Sequence, residues 1–286
     1  MPASKRAFLS QRHLSSIVYL LQNFHTGKIP TLRMKLLYPS SMLSSKEADD
    51  IFEAEHSAAK EAGIQTALFS LEDLQRGKRL PDFTDGEAVL YRGWMMTPSE
   101  YKKLCEQITQ SGGVPIVSPK AYEFCHYLPG WFPKLSEMTA ETLVFSENAD
   151  IAGELRSRGW KGCFLKDYVK SLQGASLITD LDRIPEIIAK MRKFRGRIEG
   201  GLCVRRIEEY DPASERRYFV YRETPHSADG HVPALVQEVA HRIDSPFYSV
   251  DTIMRRDGVM RVVEIGDGQV SDLKEWTPQA FVGLFA

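Results

Sequence analysis

The chain has 286 residues, 43% of them hydrophobic, which is enough to fill the core of one large or two ordinary domains without disulfide or metal staples. Its 37 Lys+Arg against 38 Asp+Glu leave a formal charge of -1, so no global field draws it toward nucleic acid or an anionic membrane, although a local basic groove is left open. No apolar run approaches the roughly 18 to 20 residues that a membrane-spanning helix needs, so the expectation is a soluble protein with no membrane partner.

In chain order, the first acidic residue is Glu47, and the segment before it carries Arg6, Arg12, Lys28 and Arg33 among serines. Residues 1–33 are read as an N-terminal extension and a candidate for disorder, with an Arg- and Ser-rich transit-type leader as the alternative. From Met34 strand and helix patterns alternate. A strand at Leu36–Tyr38 is followed by a helix with Ile51, Ala54, Ala58 and Ala62 on one face, which Gly63 ends. Strands follow at Thr66–Phe69 and Ala88–Tyr91. Thr97, Pro98 and Glu100 then form a capping box that opens a helix through Tyr101, Leu104 and Ile108, closed by Gly112 and Gly113. This predicts a small α/β domain over 34–138 with a largely parallel sheet.

The stretch from Cys125 to Thr139 holds Pro129, Gly130, Trp131 and Pro133, so it is expected to be a loop and the domain junction. Beyond it, an α+β domain over 139–286 is predicted, with strands near Leu143–Phe145 and Cys163–Lys166 and helices near Ala149–Arg158 and Ile184–Lys193. Four further strand candidates, Leu202–Ile207, Arg217–Tyr221, Phe247–Met254 and Val259–Ile265, surround one helix at Val232–Arg242, which gives this half an antiparallel component. Cys105, Cys125, Cys163 and Cys203 form no CxxC pair and are read as buried hydrophobes of a reducing, cytoplasmic compartment.

The most informative piece is Phe247–Asp267, a hairpin pattern around the turn pair Asp257-Gly258. With a two-residue loop, Arg256 faces Val259, paired positions sum to 515, and Asp251 lies opposite Glu264. Like charges at such a pair repel unless something positive sits between them. A divalent cation is the simplest answer, with Asp267 as a third oxygen ligand; the alternative is pairing with Arg255, Arg256 or Arg261. Lys166, at a strand end before Lys170 and Ser171, is a candidate phosphate clamp. Around Leu202–Tyr218, the adjacent arginines Arg205 and Arg206 point to opposite faces, so one of them at most looks into a given cleft, while Glu215 and Arg217 share a face. Arg92, directly after a parallel strand, is placed either on a substrate carboxylate or in a loop ion pair.

There is no P-loop, no GxGxxG after the first strand, no GxSxG elbow and no HExxH, and Lys166-Asp167-Tyr168 lacks the glycine of the covalent nucleotidyltransferase motif. The remaining set is a strand-borne lysine, a strand ending in glutamates, an E-x-R strand, and acids on a final hairpin. It resembles the nucleotide site of the ATP-grasp superfamily. The phrases Phe164-Leu165-Lys166-Asp167, Glu199 to Arg206, and Val263-Glu264-Ile265-Gly266-Asp267-Gly268-Gln269-Val270-Ser271 are similar to the clade labelled by two arginines and a lysine (R-two-K).

The resemblance implies an α/β pre-ATP-grasp-like N-terminal domain followed by a two-lobed α+β ATP-grasp domain, with lobes of about 139–207 and 208–286. It implies ATP between the lobes, with Lys166 and Lys170 on its phosphates, Glu208 or Glu209 near adenine and ribose, and Arg217 facing the γ-phosphate. Mg²⁺ would be held by Asp251, Glu264 and Asp267. Many family members end in Glu-x-Asn, whereas here Glu264 is followed by Gly266 and then Asp267, which makes Gln269 a rival third ligand. Arg92 and Arg206 are the candidates for holding a carboxylate or acyl phosphate. The activity implied is an ATP-dependent carboxylate-amine ligase for small-molecule or peptide substrates. A kinase, a nucleotidyl-transferring enzyme and a non-catalytic ATP-binding module are the alternatives.

Overall fold

A parallel sheet opens the fold, in a computed structural model that describes residues 34–286; the extension read over 1–33 lies outside the described residues. Its strands are β1 (Met34–Pro39), β2 (Gln65–Phe69), β3 (Glu87–Tyr91) and β4 (Gly113–Pro115), in the order β2-β1-β3-β4. Leu36, Leu37, Val89 and Leu90 are all buried, because helices cover a parallel sheet on its faces. Helix Pro98–Gln110 starts with both halves of the expected capping box between Thr97 and Glu100. The strand order reverses between β1 and β3, so their outgoing loops diverge at the carboxyl ends. Gly93, in the loop leaving β3, donates its N–H to the carbonyl of Gln269 (3.0 Å).

The segment expected to be a loop between Cys125 and Thr139 is instead largely helical, with helices at Pro119–His126 and Leu128–Leu135. Pro119 and Pro129 sit in first turns, where no intrahelical N–H bond is needed. Leu128, Trp131 and Leu135, at helical spacing, bury one face of the second helix.

A second sheet contains β5 (Thr142–Phe145), β6 (Cys163–Asp167), β7 (Leu177–Ile178) and β8 (Leu202–Arg205), paired antiparallel in the order β5-β8-β6-β7. Leu165, Leu202 and Val204 point into a core built with Leu155, Ile187 and Met191 from the helices on that side. By the two-residue alternation of strands, Lys166, its cross-strand partner Cys203, and Arg205 point to the opposite face.

The third sheet, also antiparallel, runs β10-β9-β11-β12, from β9 (Tyr210–Tyr221), β10 (Thr224–His226), β11 (Phe247–Arg255) and β12 (Met260–Asp267). Val250, Val262 and Ile265 pack with Trp131, Val236 and Val239. Phe219 and Phe247 join Phe281, Trp276 and residues of the first sheet in another core. All four cysteines are free and buried. Among the described residues no helix is long and apolar enough to cross a membrane.

The hairpin closes differently from the two-residue expectation. Arg255 N–H bonds Val259 O (2.8 Å), so the tip holds three residues, with Gly258 left-handed at φ +87. Paired positions near the tip, such as Thr252 with Val262, therefore sum to one less than expected. A register shift beyond Thr252 returns Asp251 to Glu264, leaving Val263 as the extra residue of a bulge.

Candidate functional site

Three adjacent strands place one charged residue each in a row. Arg217 on β9 is the cross-strand neighbour of Asp251 on β11, and Asp251 is that of Glu264 on β12. Lys166 reaches across from β6 of the second sheet and its Nζ donates to Glu264 Oε1 (2.7 Å). The two acids do face each other, and side-chain cations of the protein lie against both. Arg217 forks onto Asp251, Nε to Oδ1 and Nη2 to Oδ2, both at 2.7 Å, and Lys274 Nζ adds a bond to Oδ2 (3.0 Å). The proposed partners Arg255, Arg256 and Arg261 are not the ones used: Arg261 and Arg255 turn to Glu208.

Arg217 is held along its whole length. Its N–H donates to Glu275 Oε1 (2.7 Å), its carbonyl accepts from Trp276 Nε1 (2.9 Å), and Nη1 donates to both the carbonyl and carboxylate of Asp272. A guanidinium fixed in this way is held rigidly against Asp251. Partial burial works to raise the Glu264 carboxyl, whose side chain stays 41% exposed, but Lys166, Lys170 and Arg217 together outweigh it and leave Glu264 below the usual carboxylate value. Burial likewise opposes the Lys274 ammonium, which Asp251 and Glu215 nonetheless hold above its ordinary value.

Asp267 does not join this group. It continues β12 opposite Tyr248, three residues from Glu264, and an odd spacing along a strand puts two side chains on opposite faces. Fully buried, its Oδ1 accepts from the N–H and Nε2 of Gln269 (both 3.0 Å), and Oδ2 has no partner. Burial pushes its carboxyl up to about 7, against the pull of Gln269 and Arg92. The rival ligand, Gln269, is tied to Asp267 and to the Tyr101 hydroxyl.

Arg92 takes the ion-pair alternative. It is 2% exposed, and Nε and Nη2 fork onto Glu55 (2.8 and 2.9 Å) while Nη1 bonds the carbonyls of Gly268 (3.1 Å) and Gln269 (3.0 Å). Its guanidinium ties helix Glu53–Glu61 to the end of β12 and is not presented to a substrate. Arg206 is exposed and pairs with Glu141 at 3.3 Å. The guanidinium on the same face of the second sheet as Lys166 is Arg205 and not Arg206, the candidate expected from the resemblance. Arg205 is 7% exposed; Nη1 donates to Val263 O (2.7 Å), Nη2 to the Thr139 hydroxyl, and Nε has no acceptor.

Glu208 and Glu209 edge a cavity of about 790 Å³ that Arg206, Ile207 and Arg261 also line. Glu208 is engaged by Arg261 (3.1 Å) and the Tyr210 hydroxyl (2.8 Å), whereas Glu209 is exposed. The cavity lining does not include Lys166, Asp251 or Glu264. Arg205 links the two, since it bonds Val263, next to Glu264, and Thr139, which lines the cavity. Lys170, exposed, lies beyond β6, where its N–H bonds Asp167 Oδ1 (2.6 Å). Lys274, Asp272 and Glu275 were not singled out by sequence reasoning, since nothing in their spacing shows that this segment folds back onto Arg217.

Among the described residues no group of three or more His, Cys, Asp or Glu is disposed to hold a metal ion. The opposed pair Asp251 and Glu264 is a donor set that fits Mg²⁺, which is commonly bound by one or two carboxylates plus substrate phosphates.

The family model of the ATP-grasp domain, R-two-K clade family 3, matches residues 129–283, more than half of the chain. Among solved structures, a RimK domain protein ATP-grasp from Sphaerobacter thermophilus is similar at a TM-score of 0.59 and 17% identity, covering 89% of this chain and 99% of that one. N5-carboxyaminoimidazole synthase from Aspergillus clavatus, in complex with ADP and its ribonucleotide ligand, gives 0.57 and 12% over 87% of this chain and 75% of that one. The macrocyclase MdnC from Microcystis aeruginosa, bound with precursor peptide MdnA, gives 0.55 and 13% over 88% and 99%. No curated protein sequence matches the chain. At these identities the structural likeness establishes the fold, with its mixed sheets and helices.

Proposed function

The chain belongs to the ATP-grasp domain family, R-two-K clade family 3, and from that premise we propose that it is an ATP- and Mg²⁺-dependent carboxylate-amine ligase. The observation that carries the reading is the row Arg217, Asp251, Glu264 and Lys166, two acids flanked by cations from two different sheets. Such a row offers carboxylate oxygens for a metal and positive groups for the phosphates it would accompany. Mg²⁺, when bound, neutralises phosphate charge, and Asp251 and Glu264 are the residues that would hold it. Lys166 and Lys170 take phosphate oxygens, Arg217 faces the transferred phosphoryl group, and Glu208 and Glu209 receive the nucleoside at the neighbouring cavity.

In the proposed reaction a substrate carboxylate oxygen attacks the γ-phosphorus and ADP leaves, giving an acyl phosphate. An amine then attacks the acyl carbon, phosphate leaves, and the amine nitrogen loses a proton. The protein's part is to position the reactants and to neutralise developing negative charge. The peptide-bound macrocyclase and the ribonucleotide-bound synthase among the similar structures support acceptors that are either peptides or small molecules. Four free, buried thiols accord with a cytoplasmic location.

The test is mass spectrometry of a cell extract incubated with ATP and either wild type or Glu264→Gln. A new condensation product with ADP, formed by the wild type alone, supports the reading. A stable phosphoester with ADP, or AMP with pyrophosphate, would replace it with a kinase or a nucleotidyl-transferring enzyme. Mg-ATP binding without any product would leave a binding module.

A further inference from the structure

Asp251 is 3% exposed and both its carboxylate oxygens are taken, Oδ1 by Arg217 and Oδ2 by Arg217 and Lys274. Glu264 has Lys166. Three cations therefore hold these two acids, with Asp272 and Glu215 sharing Arg217 and Lys274, and a divalent ion arriving alone meets carboxylates that already have ion-pair partners. For Asp251 to accept a metal, one of its cations must withdraw. Arg217 is poorly suited to do so, being anchored through its main-chain N–H, its carbonyl and Asp272.

Lys274 is the opposite case. It makes a single 3.0 Å bond to Asp251, its other partner is the exposed Glu215 (2.6 Å), and its own side chain is 28% exposed on a flexible stem. Its backbone is left-handed at φ +47, a conformation disfavoured for a residue with a Cβ, so the segment holds this lysine at some conformational cost. A lysine kept there at a cost and bound loosely to a proposed metal ligand is suited to exchange.

We infer that Lys274 is an exchangeable cation. It occupies Asp251 in the ligand-free protein, yields that carboxylate when a divalent ion arrives with an anionic polyphosphate, and transfers its ammonium to the phosphate oxygens. Metal then binds as the metal-nucleotide complex and poorly on its own. The inference rests on the metal and nucleotide reading of the site given above.

The experiment is titration of the full chain with Mn²⁺, followed by electron paramagnetic resonance of the free ion, with and without a non-hydrolysable ATP analogue. Wild type is expected to bind Mn²⁺ saturably only with the analogue. Lys274→Met should gain nucleotide-independent Mn²⁺ binding, tighter by about tenfold for one like charge removed, while its affinity for the metal-analogue complex falls. Opposite signs are the signature, since a residue that merely supports the fold would weaken both. Lys274→Gly, which suits a left-handed backbone, should behave in the same way and replaces Lys274→Met if that variant does not fold. Equal Mn²⁺ binding by wild type and variant without nucleotide, or a parallel loss of both affinities, overturns the inference. Absence of Mn²⁺ binding to wild type even with the analogue instead overturns the reading on which it rests.

Discussion

Removing the acid from the buried Glu55–Arg92 pair gives a large and specific expectation. The two side chains are 4% and 2% exposed, joined by two bonds of 2.8 and 2.9 Å, and Arg92 also carries the carbonyls of Gly268 and Gln269. Glu55→Gln keeps the shape but leaves a guanidinium without its counter-charge in the interior, a change that costs about 3–5 kcal/mol. For a fold of this size each kcal/mol lowers the melting temperature by about 2–4 °C, so the expected drop is about 6–20 °C. Thermal unfolding followed by circular dichroism measures it. The double variant Glu55→Leu with Arg92→Met removes both charges and should melt above either single variant, because the coupling between two residues in contact is not additive. A Glu55→Gln melting point within a degree of wild type, or strictly additive losses in the double variant, would refute the structural role assigned to Arg92. It would return this residue to the list of substrate contacts.

Gly266→Ala should weaken binding of a metal-nucleotide analogue, since a Cβ there would come within 2.8 Å of Ser249 Oγ and 2.9 Å of Ser271 Oγ, beside Asp251 and Glu264; calorimetry reads the loss, and an unchanged affinity would show that this floor can give. Thr97→Ala removes one side of a complete capping box and should cost about 1 kcal/mol of stability in urea unfolding without changing nucleotide affinity. Asp267, whose carboxyl is raised by burial from 3.8 to about 7, stays protonated in the folded chain where the unfolded chain has lost its proton. The folded state therefore binds more protons between about pH 4 and 7, so its stability falls as pH rises through that window, and Asp267→Asn should flatten the fall in pH-dependent unfolding curves.

The site was partly legible because β-hairpins obey arithmetic. The expectation that Asp251 opposes Glu264 holds, although the route to it does not: a three-residue tip shifts the register by one, and the bulge at Val263 shifts it back. The bulge carbonyl accepts from Arg205, far away in sequence, so local turn chemistry could not show it. The same hairpin misled at Asp267, where a glycine-flanked acid reads as a turn ligand but continues the strand and points away from Glu264. Between Arg205 and Arg206 the alternation rule allowed only one to face the cleft, and the register of β8 against β6 decides for Arg205. The prolines of 128–135 suggested a loop because a proline interrupts a helix interior; Pro129 sits in the first turn, where it does not, and Pro133 is carried inside a short helix whose Leu128, Trp131 and Leu135 bury one side. The clamp on Arg217 by Asp272, Glu275 and Trp276 depends on the path of the last segment, for which no periodicity exists to be read.

The central claim is that Asp251 and Glu264 act together as the acidic pair of a metal-nucleotide site and that Asp267, on the other face of the strand, does not. Isothermal calorimetry of a non-hydrolysable ATP analogue with and without Mg²⁺ tests it most directly, comparing wild type with Asp251→Asn, Glu264→Gln and Asp267→Asn. The account predicts that the first two substitutions abolish the Mg²⁺-dependent gain in affinity while Asp267→Asn retains it. A retained gain in Glu264→Gln, or its loss in Asp267→Asn from a protein that still folds, would contradict it.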